Sequence, residues 1–222
     1  MPSSISSKRT QNTERTRDKM ISAALALYAE RSIDAVSLRE IAVAAGQKNS
    51  NALQYHFGDR HGLLQAIVER HAAAITASRE ASIAGIRVGE LTPARAAARG
   101  MVLPIVHYLE SHPEGVQFVR VVSQMAAIYQ SGRAPEAGAP VRFPDNPALV
   151  ALFDSALAHL PPREVQRRIY LVVVNTFHSL ADIYRAEGDR RAGDPIASRR
   201  LMVEQLLLML EAYLSAAAAP SR

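Results

Sequence analysis

A run of short polar and aromatic side chains occupies residues 47–57, in the sequence QKNSNALQYHF. Asparagine and glutamine amides can pair with adenine through two hydrogen bonds, and a serine hydroxyl can bond either base. A tyrosine can reach a phosphate or a thymine methyl group. Residue types of this kind are suited to contacting double-stranded DNA. The candidate contacts in the run are Lys48, Asn49, Ser50, Asn51, Gln54, Tyr55 and His56.

Two short predicted helices position these side chains. Ser37 and Glu40 have the spacing of a capping box, in which each residue satisfies a free backbone donor of the other, so a helix begins after Ser37. Ala42 is small where two helices would cross closely, and Gly46 supplies the turn that ends the helix. A second helix over 50–56, capped by Asn49, would then project toward the major groove. The pattern predicts a helix-turn-helix; a generic helical hairpin is the alternative.

The remaining chain is also predicted to be helical, because apolar residues recur at spacings of three and four and strand-like alternation is scarce. The fold class is therefore all-α. We expect an N-terminal arm and a three-helix DNA-binding domain over 1–58, followed by a helical ligand-binding and dimerisation domain over 59–222. Pro104 should kink its helix beside Gly100, and the Gly- and Pro-rich segment 131–145 should be an exposed loop. The other predicted helices cover 13–31, 59–83, 93–110, 113–130, 147–159, 162–187 and 198–217.

Residues 13–67 resemble the TetR family of transcription regulators, through SLREIAVAAG at 37–46 and YHFGDRHGLLQAI at 55–67. The resemblance implies DNA binding, with Tyr55 and His56 near phosphates. It also implies that Arg60 takes the place of a lysine that anchors the DNA backbone. Arg17 and Ser37 complete the predicted DNA contacts.

The chain departs from the family pattern in two places. The segment 46–57 is one residue longer than usual, and the glycine that normally follows the first helix is replaced near 31–32. We place the extra residue near 47–48, which leaves open which side chains read bases.

The amino-acid composition restricts which other classes of protein the chain could belong to. The 222-residue chain has no cysteine, and 26 Lys and Arg outnumber 21 Asp and Glu. Positive charge gathers in residues 1–20, where 1–11 is either a solvated tail or a phosphate-contacting arm. No apolar run approaches the roughly 18 residues that a membrane span needs. We expect a soluble, cytoplasmic protein without membrane, metal or cofactor.

The last two predicted helices are apolar on more than one side. One stripe can face the core of its own chain, and a second stripe then needs a partner. By resemblance to the TetR family, these helices pair with their copies in a homodimer as a four-helix bundle. The alternative is that one chain absorbs both stripes. The predicted interface residues are Ile169, Val173, Thr176, Leu180, Leu201 and Leu208.

Large, adaptable apolar side chains between 92 and 180, with few polar ones, are typical of an effector pocket, although ordinary cores have the same composition. His107 and His178 are candidate polar anchors, or else ordinary core or surface histidines. The predicted pocket residues are Met101, Ile105, Tyr108, Phe118, Val122, Met125, Tyr129, Phe153, Phe177 and His178.

An enzyme is the competing class, and its common motifs HExxH, GxSxG, GxGxxG and the P-loop are absent from the sequence. A ligand-independent architectural DNA-binding protein is a second alternative. The sequence favours a dimeric repressor that a small, mostly apolar effector releases from a palindromic operator.

Overall fold

The computed structural model describes residues 3–49, 51–86, 89–129, 141–185 and 198–218, with the backbone alone for 3–10 and 127–129. In these ranges the chain forms nine α-helices and one 3-10 turn, Ile33–Ala35, so the predicted fold class is confirmed. The helices are α1 Ser3–Glu30, α2 Leu38–Ala44, α3 Ala52–Phe57, α4 Arg60–Ala84, α5 Pro93–Ser111, α6 Gly115–Tyr129, α7 Pro147–Leu157, α8 Pro162–Arg185 and α9 Arg199–Ser215.

Helix α1 is longer than predicted. It begins at Ser3 rather than near residue 13, so the backbone of residues 3–11 is helical. The reason is visible in the sequence, since no glycine or proline interrupts the chain between Pro2 and Gly46. Most of the predicted loop 131–145 lies outside the described residues, and the part from 141 precedes α7 without regular structure.

Side-chain caps fix where several helices begin. Asp59 accepts a hydrogen bond from the backbone N–H of Gly62 at 2.8 Å and begins α4. The side chains of Thr92, Asn146 and Ser198 each accept a hydrogen bond from a backbone N–H three residues later. They begin α5, α7 and α9, respectively. Because these interactions are local, the sequence predicted each of these starting points to within two residues.

The first four helices share a core. Met20 and Tyr28 of α1, Ile41 of α2, Leu53 of α3 and Leu63 of α4 are all almost completely buried. Helix α4 then continues into the C-terminal part of the chain, where it packs against α5. One helix therefore contacts both the N-terminal helices α1 and α3 and the C-terminal core.

Helix α5 lies among α4, α7 and α9, and α6 packs between α1 and α8. Gly100 permits the close contact of α5 with α7, because an added Cβ would lie 2.7 Å from Leu152 Cδ1. Helix α5 continues through Pro104, whose carbonyl accepts a hydrogen bond from Ser78 Oγ at 2.9 Å. No helix in the described ranges is long and apolar enough to cross a membrane.

Candidate DNA-binding surface, ligand cavity and dimer face

The capping box at the start of α2 is formed. Ser37 Oγ accepts from the Glu40 backbone N–H at 3.2 Å, and Glu40 Oε2 accepts from the Ser37 backbone N–H at 2.8 Å. The hydrogen bond from the Ser37 backbone, followed by that from Arg31, lowers the pKa of Glu40 to about 2. The carboxylate is therefore charged at neutral pH and fixes the first turn of α2.

The turn between α2 and α3 depends on a glycine. Gly46 has φ +71°, a conformation that side chains other than glycine rarely adopt. Asn49 Oδ1 accepts from the Asn51 backbone N–H at 2.9 Å, which closes a local turn before α3. Helix α3 consequently begins at Ala52 rather than near residue 50, and its N-cap residue is Asn51 rather than Asn49.

Helix α3 presents its polar face to solvent. Leu53 is buried, whereas Tyr55 is 84% exposed and Gln54 is also exposed. His56 is half-buried. Of the other predicted contacts, Ser50 lies outside the described residues, and Lys48, Asn49 and Asn51 are exposed at the turn. The structure thus brings the described base-reading candidates to one exposed surface.

Two predicted phosphate contacts have partners within the chain. Arg60 donates to the carbonyls of Ile33 at 2.9 Å and Val36 at 3.0 Å, so its guanidinium fastens the 3-10 turn to the start of α4. Arg60 therefore has partners within the chain, and its contact with a DNA phosphate stays a prediction. Arg17 lies over the Phe57 ring, with 5.2 Å between guanidinium carbon and ring centroid, and joins α1 to the end of α3.

The end of α3 and the start of α4 approach so closely that only glycine fits between them. A Cβ added to Gly62 would lie 1.9 Å from the Phe57 carbonyl oxygen. The position of the recognition helix α3 is thus set by α4.

A cavity of about 420 Å³ lies in the C-terminal domain. Its walls come from α4, α5, α6, α8 and the segment before and at the start of α7. Nearly all of the lining is apolar. The lining residues are Val68, Ala72, Ile75, Arg79, Met101, Ile105, Phe118, Val119, Val122, Met125, Ala126, Val141, Phe143, Pro144, Leu149, Val173 and Phe177.

The structure sorts the predicted pocket residues into three groups. Met101, Ile105, Phe118, Val122, Met125 and Phe177 line the cavity. Tyr108 and Phe153 are buried but do not line it, and His107 and His178 are exposed. The side chain of Tyr129 lies outside the described residues. The placement of Phe153, Tyr108 and His178 in the pocket is therefore corrected, because their helices turn those side chains elsewhere.

A wall contributed by α4 was missed in the sequence. Val68, Ala72 and Ile75 have the spacing of an ordinary core stripe, so nothing in the sequence marked them as cavity-lining. Arg79, on the same wall, was also missed, because an arginine near a helix end usually points into solvent.

A polar cluster lies behind Phe118, where His71 and Tyr108 are buried and hydrogen-bonded to each other. Burial lowers the pKa of His71 to about 4 and raises the pKa of Tyr108 to about 12, so both are neutral near pH 7. The His71 ring lies 4.5 Å from that of Phe118, measured between centroids. The cluster is therefore in contact with a cavity-lining residue.

Two sets of polar contacts tie the cavity helices to α1. Arg70 of α4 pairs with Glu114 at 2.8 Å and donates to Ser22 Oγ of α1 at 2.7 Å. Gln124 of α6 donates to the Tyr28 carbonyl at 2.7 Å and accepts from the Ile33 backbone N–H at 2.8 Å. Helices α4 and α6 both line the cavity, and both are hydrogen-bonded to α1.

Helices α8 and α9 expose apolar side chains, which we call the α8–α9 face: Leu171, Leu201, Leu208 and Met209, each between 41% and 53% exposed. Two of the predicted interface residues, Leu201 and Leu208, lie on this face. Thr176 and Leu180 do not, since both are completely buried within the chain. Ile169 and Val173 are half-buried, and Val173 lines the cavity. The α8 stripe predicted for the interface is therefore corrected to a core stripe.

Residues 20–67 match the family model for bacterial regulatory proteins of the tetR family. Among curated proteins, none matches the chain. Similar solved structures include a TetR-family regulator from Streptomyces coelicolor A3, at 17% identity and a TM-score of 0.42, covering 91% of this chain and 96% of that one. Another is RolR in complex with resorcinol, at 16% identity and a TM-score of 0.38, covering 95% of this chain and 98% of that one.

The match spans the helix-turn-helix and the start of α4, which are the elements that build the exposed recognition surface described above. The class defined by this fold and surface is a helix-turn-helix DNA-binding protein. Over residues 20–67 the chain is similar to bacterial regulatory proteins of the tetR family.

Proposed function

We propose that the chain is a homodimeric repressor that binds a palindromic operator and is released by a small, mostly apolar molecule in the C-terminal cavity. The observation that carries the proposal is the position of α4. One end of this helix fixes α3 through Gly62, and farther along it Val68, Ala72 and Ile75 form a wall of the cavity. Occupation of the cavity can therefore act on the recognition helix.

The dimer follows from the α8–α9 face. Exposed leucines and a methionine on two adjacent helices are suited to burial against a second copy of the same surface. A groove between α8 and α9, lined in part by Ile183, Met202 and Leu206, gives the side chains of that copy a place to insert. Such a dimer would hold two recognition helices about 34 Å apart, one turn of DNA.

The DNA-binding surface is tested by two substitutions on α3 and one control. Gln54→Ala is expected to reduce the discrimination between the preferred base pair and the others at one operator position by about 1–3 kcal/mol. The reason is that an amide that pairs with a base is lost. Tyr55→Ala is expected to weaken binding to every sequence, because it removes a phosphate contact. Gln166→Ala, on an exposed part of α8, should change neither property.

The measurement is a selection of binding sites from random DNA with the wild-type protein, followed by titration of each variant at several salt concentrations. Affinity for the selected palindrome should fall steeply with salt, because counterions are released from the DNA. Equal protection of all sequences would instead support an architectural DNA-binding protein and contradict the proposal.

The cavity is tested by a pair of adjacent residues on α4. Ala72 lines the cavity, whereas Ala73 is exposed. Ala72→Phe is expected to fill part of the space and abolish effector binding while operator binding stays near normal. Ala73→Phe adds the same side chain outside the cavity and should leave the effector response intact.

Thermal-shift screening of small aromatic and aliphatic compounds, followed by operator titration, measures both effects. A tenfold release from DNA requires only about 1.4 kcal/mol of differential affinity between the two states of the dimer. Compounds that bind the wild type and Ala72→Phe equally well would show that the effector site lies elsewhere.

A further inference from the structure

One cavity-lining residue does not fit an apolar site. Among the lining residues that the structure describes, Arg79 alone is charged, and the others are aliphatic, aromatic or proline. Its Nε is buried and has no hydrogen-bond partner. Burial is the cause that lowers the pKa of the guanidinium.

Glu110, near the end of α5, and Glu114, just before α6, have partners other than Arg79. Glu114 is paired with Arg70 at 2.8 Å, and Glu110 accepts a hydrogen bond from Tyr184 at 2.8 Å. In the described ranges, Arg79 is within ion-pair distance of no acidic side chain. The cavity therefore contains a positive charge that the described part of the chain does not neutralise.

An arginine keeps its proton even when it is buried, because its intrinsic pKa is above 12. Arg79 is half-buried, so part of its guanidinium is withdrawn from water without a partner, and an anion that enters the cavity offsets the cost of this withdrawal. The planar guanidinium presents paired N–H donors that match the two oxygens of a carboxylate. The apolar walls require the rest of the ligand to be hydrocarbon.

From this arrangement we infer that the effector is an amphipathic carboxylic acid, with its carboxylate on Arg79 and an aliphatic or aromatic body against Met101, Phe118 and Met125. The inference rests on the proposed function, since it names the chemical class of the effector for the same cavity. Arg79 lies on α4, so the carboxylate would bind directly to the helix that positions α3. A neutral hydrocarbon of the same length lacks this contact.

The test uses two pairs of probes that differ mainly in charge: decanoate with 1-decanol, and 4-phenylbutanoate with 4-phenylbutan-1-ol. Calorimetry on the full chain is expected to show each acid binding at least about tenfold tighter than its alcohol, since a hydrogen bond between two charged groups is stronger than one to a neutral hydroxyl. Arg79→Met should remove this preference while keeping alcohol binding. Arg99→Met, at a half-buried arginine outside the cavity, should retain it.

A second measurement needs no ligand. Because Arg79→Met removes an unpaired charge, the free variant is expected to melt at a higher temperature than the wild type. A lower melting temperature would show that the guanidinium is already satisfied within the chain and would overturn the inference.

The outcomes separate the inference from the proposed function. Equal binding of acids and alcohols to the wild type, no binding of either, or an acid preference that survives Arg79→Met overturns the inference. Should the alcohols release the operator as well as the acids do, the proposed function stands and the inference fails. If the acids bind through Arg79 and leave operator affinity unchanged, the ligand class is supported and the proposed mechanism of release is wrong.

Discussion

Gly62→Ala is expected to abolish most operator binding without unfolding the chain. The added Cβ would lie 1.9 Å from the Phe57 carbonyl oxygen, whereas real Cβ atoms essentially never come closer than 3.0 Å. Because the obstacle is backbone, α3 and α4 must separate by about 1 Å, and a packed interface does not absorb such a shift locally. We expect a cost of about 1–3 kcal/mol in the free energy of unfolding, and at least about a tenfold loss in operator affinity, equivalent to 1.4 kcal/mol.

Thermal unfolding and fluorescence anisotropy with the selected operator measure the two effects. Gly85→Ala is the matched control, because a Cβ at the C-cap of α4 meets its nearest atom at 3.5 Å, an ordinary contact. That variant should differ from the wild type by less than about 0.5 kcal/mol in stability. Wild-type operator affinity in Gly62→Ala would contradict the role assigned to the α3–α4 contact.

Leu208→Glu is expected to convert the dimer into a folded monomer. Leu208 is 53% exposed in the single chain, so a charge there is solvated in the monomer but would be buried against a second copy. Operator affinity should fall by at least about a hundredfold, because the second recognition helix is no longer held at a high effective concentration. Sedimentation velocity at micromolar concentration and operator titration measure these effects.

Val150→Glu provides the control, since Val150 is 55% exposed and belongs to α7 rather than to α8 or α9. It should remain dimeric and bind the operator normally. A dimeric Leu208→Glu protein would exclude this face as the interface. Leu180 is unsuitable for the test, because a charge at this completely buried position would unfold the chain itself.

The helix-turn-helix could be predicted because its determinants are local. The Ser37–Glu40 capping box, the left-handed turn at Gly46 and the Asp59 cap each involve residues within a few positions of one another. Sequence spacing is sufficient to identify such interactions. The start of α3 was misplaced by two residues, because Asn49 closes a turn where a helix cap was expected.

The contacts that could not be predicted join residues distant in sequence. Arg60 is held by the carbonyls of Ile33 and Val36, which precede it by 27 and 24 residues. Helix α8 carries two apolar stripes, and periodicity does not say which one faces the core. The structure buries Thr176 and Leu180 and exposes Leu171. Which stripe of α8 faces the core is decided by how the other helices pack against it.

Two sides of helix α6 make different contacts. Phe118, Val122 and Met125 face the cavity, whereas Gln124, about a third of a turn away around the helix, holds the junction between α1 and the 3-10 turn. Substitutions on the cavity side can therefore alter which molecule is recognised while the connection to α1 is inherited unchanged. If the chain functions as proposed, single substitutions on the cavity side change its effector in evolution while the contacts that support DNA binding are kept.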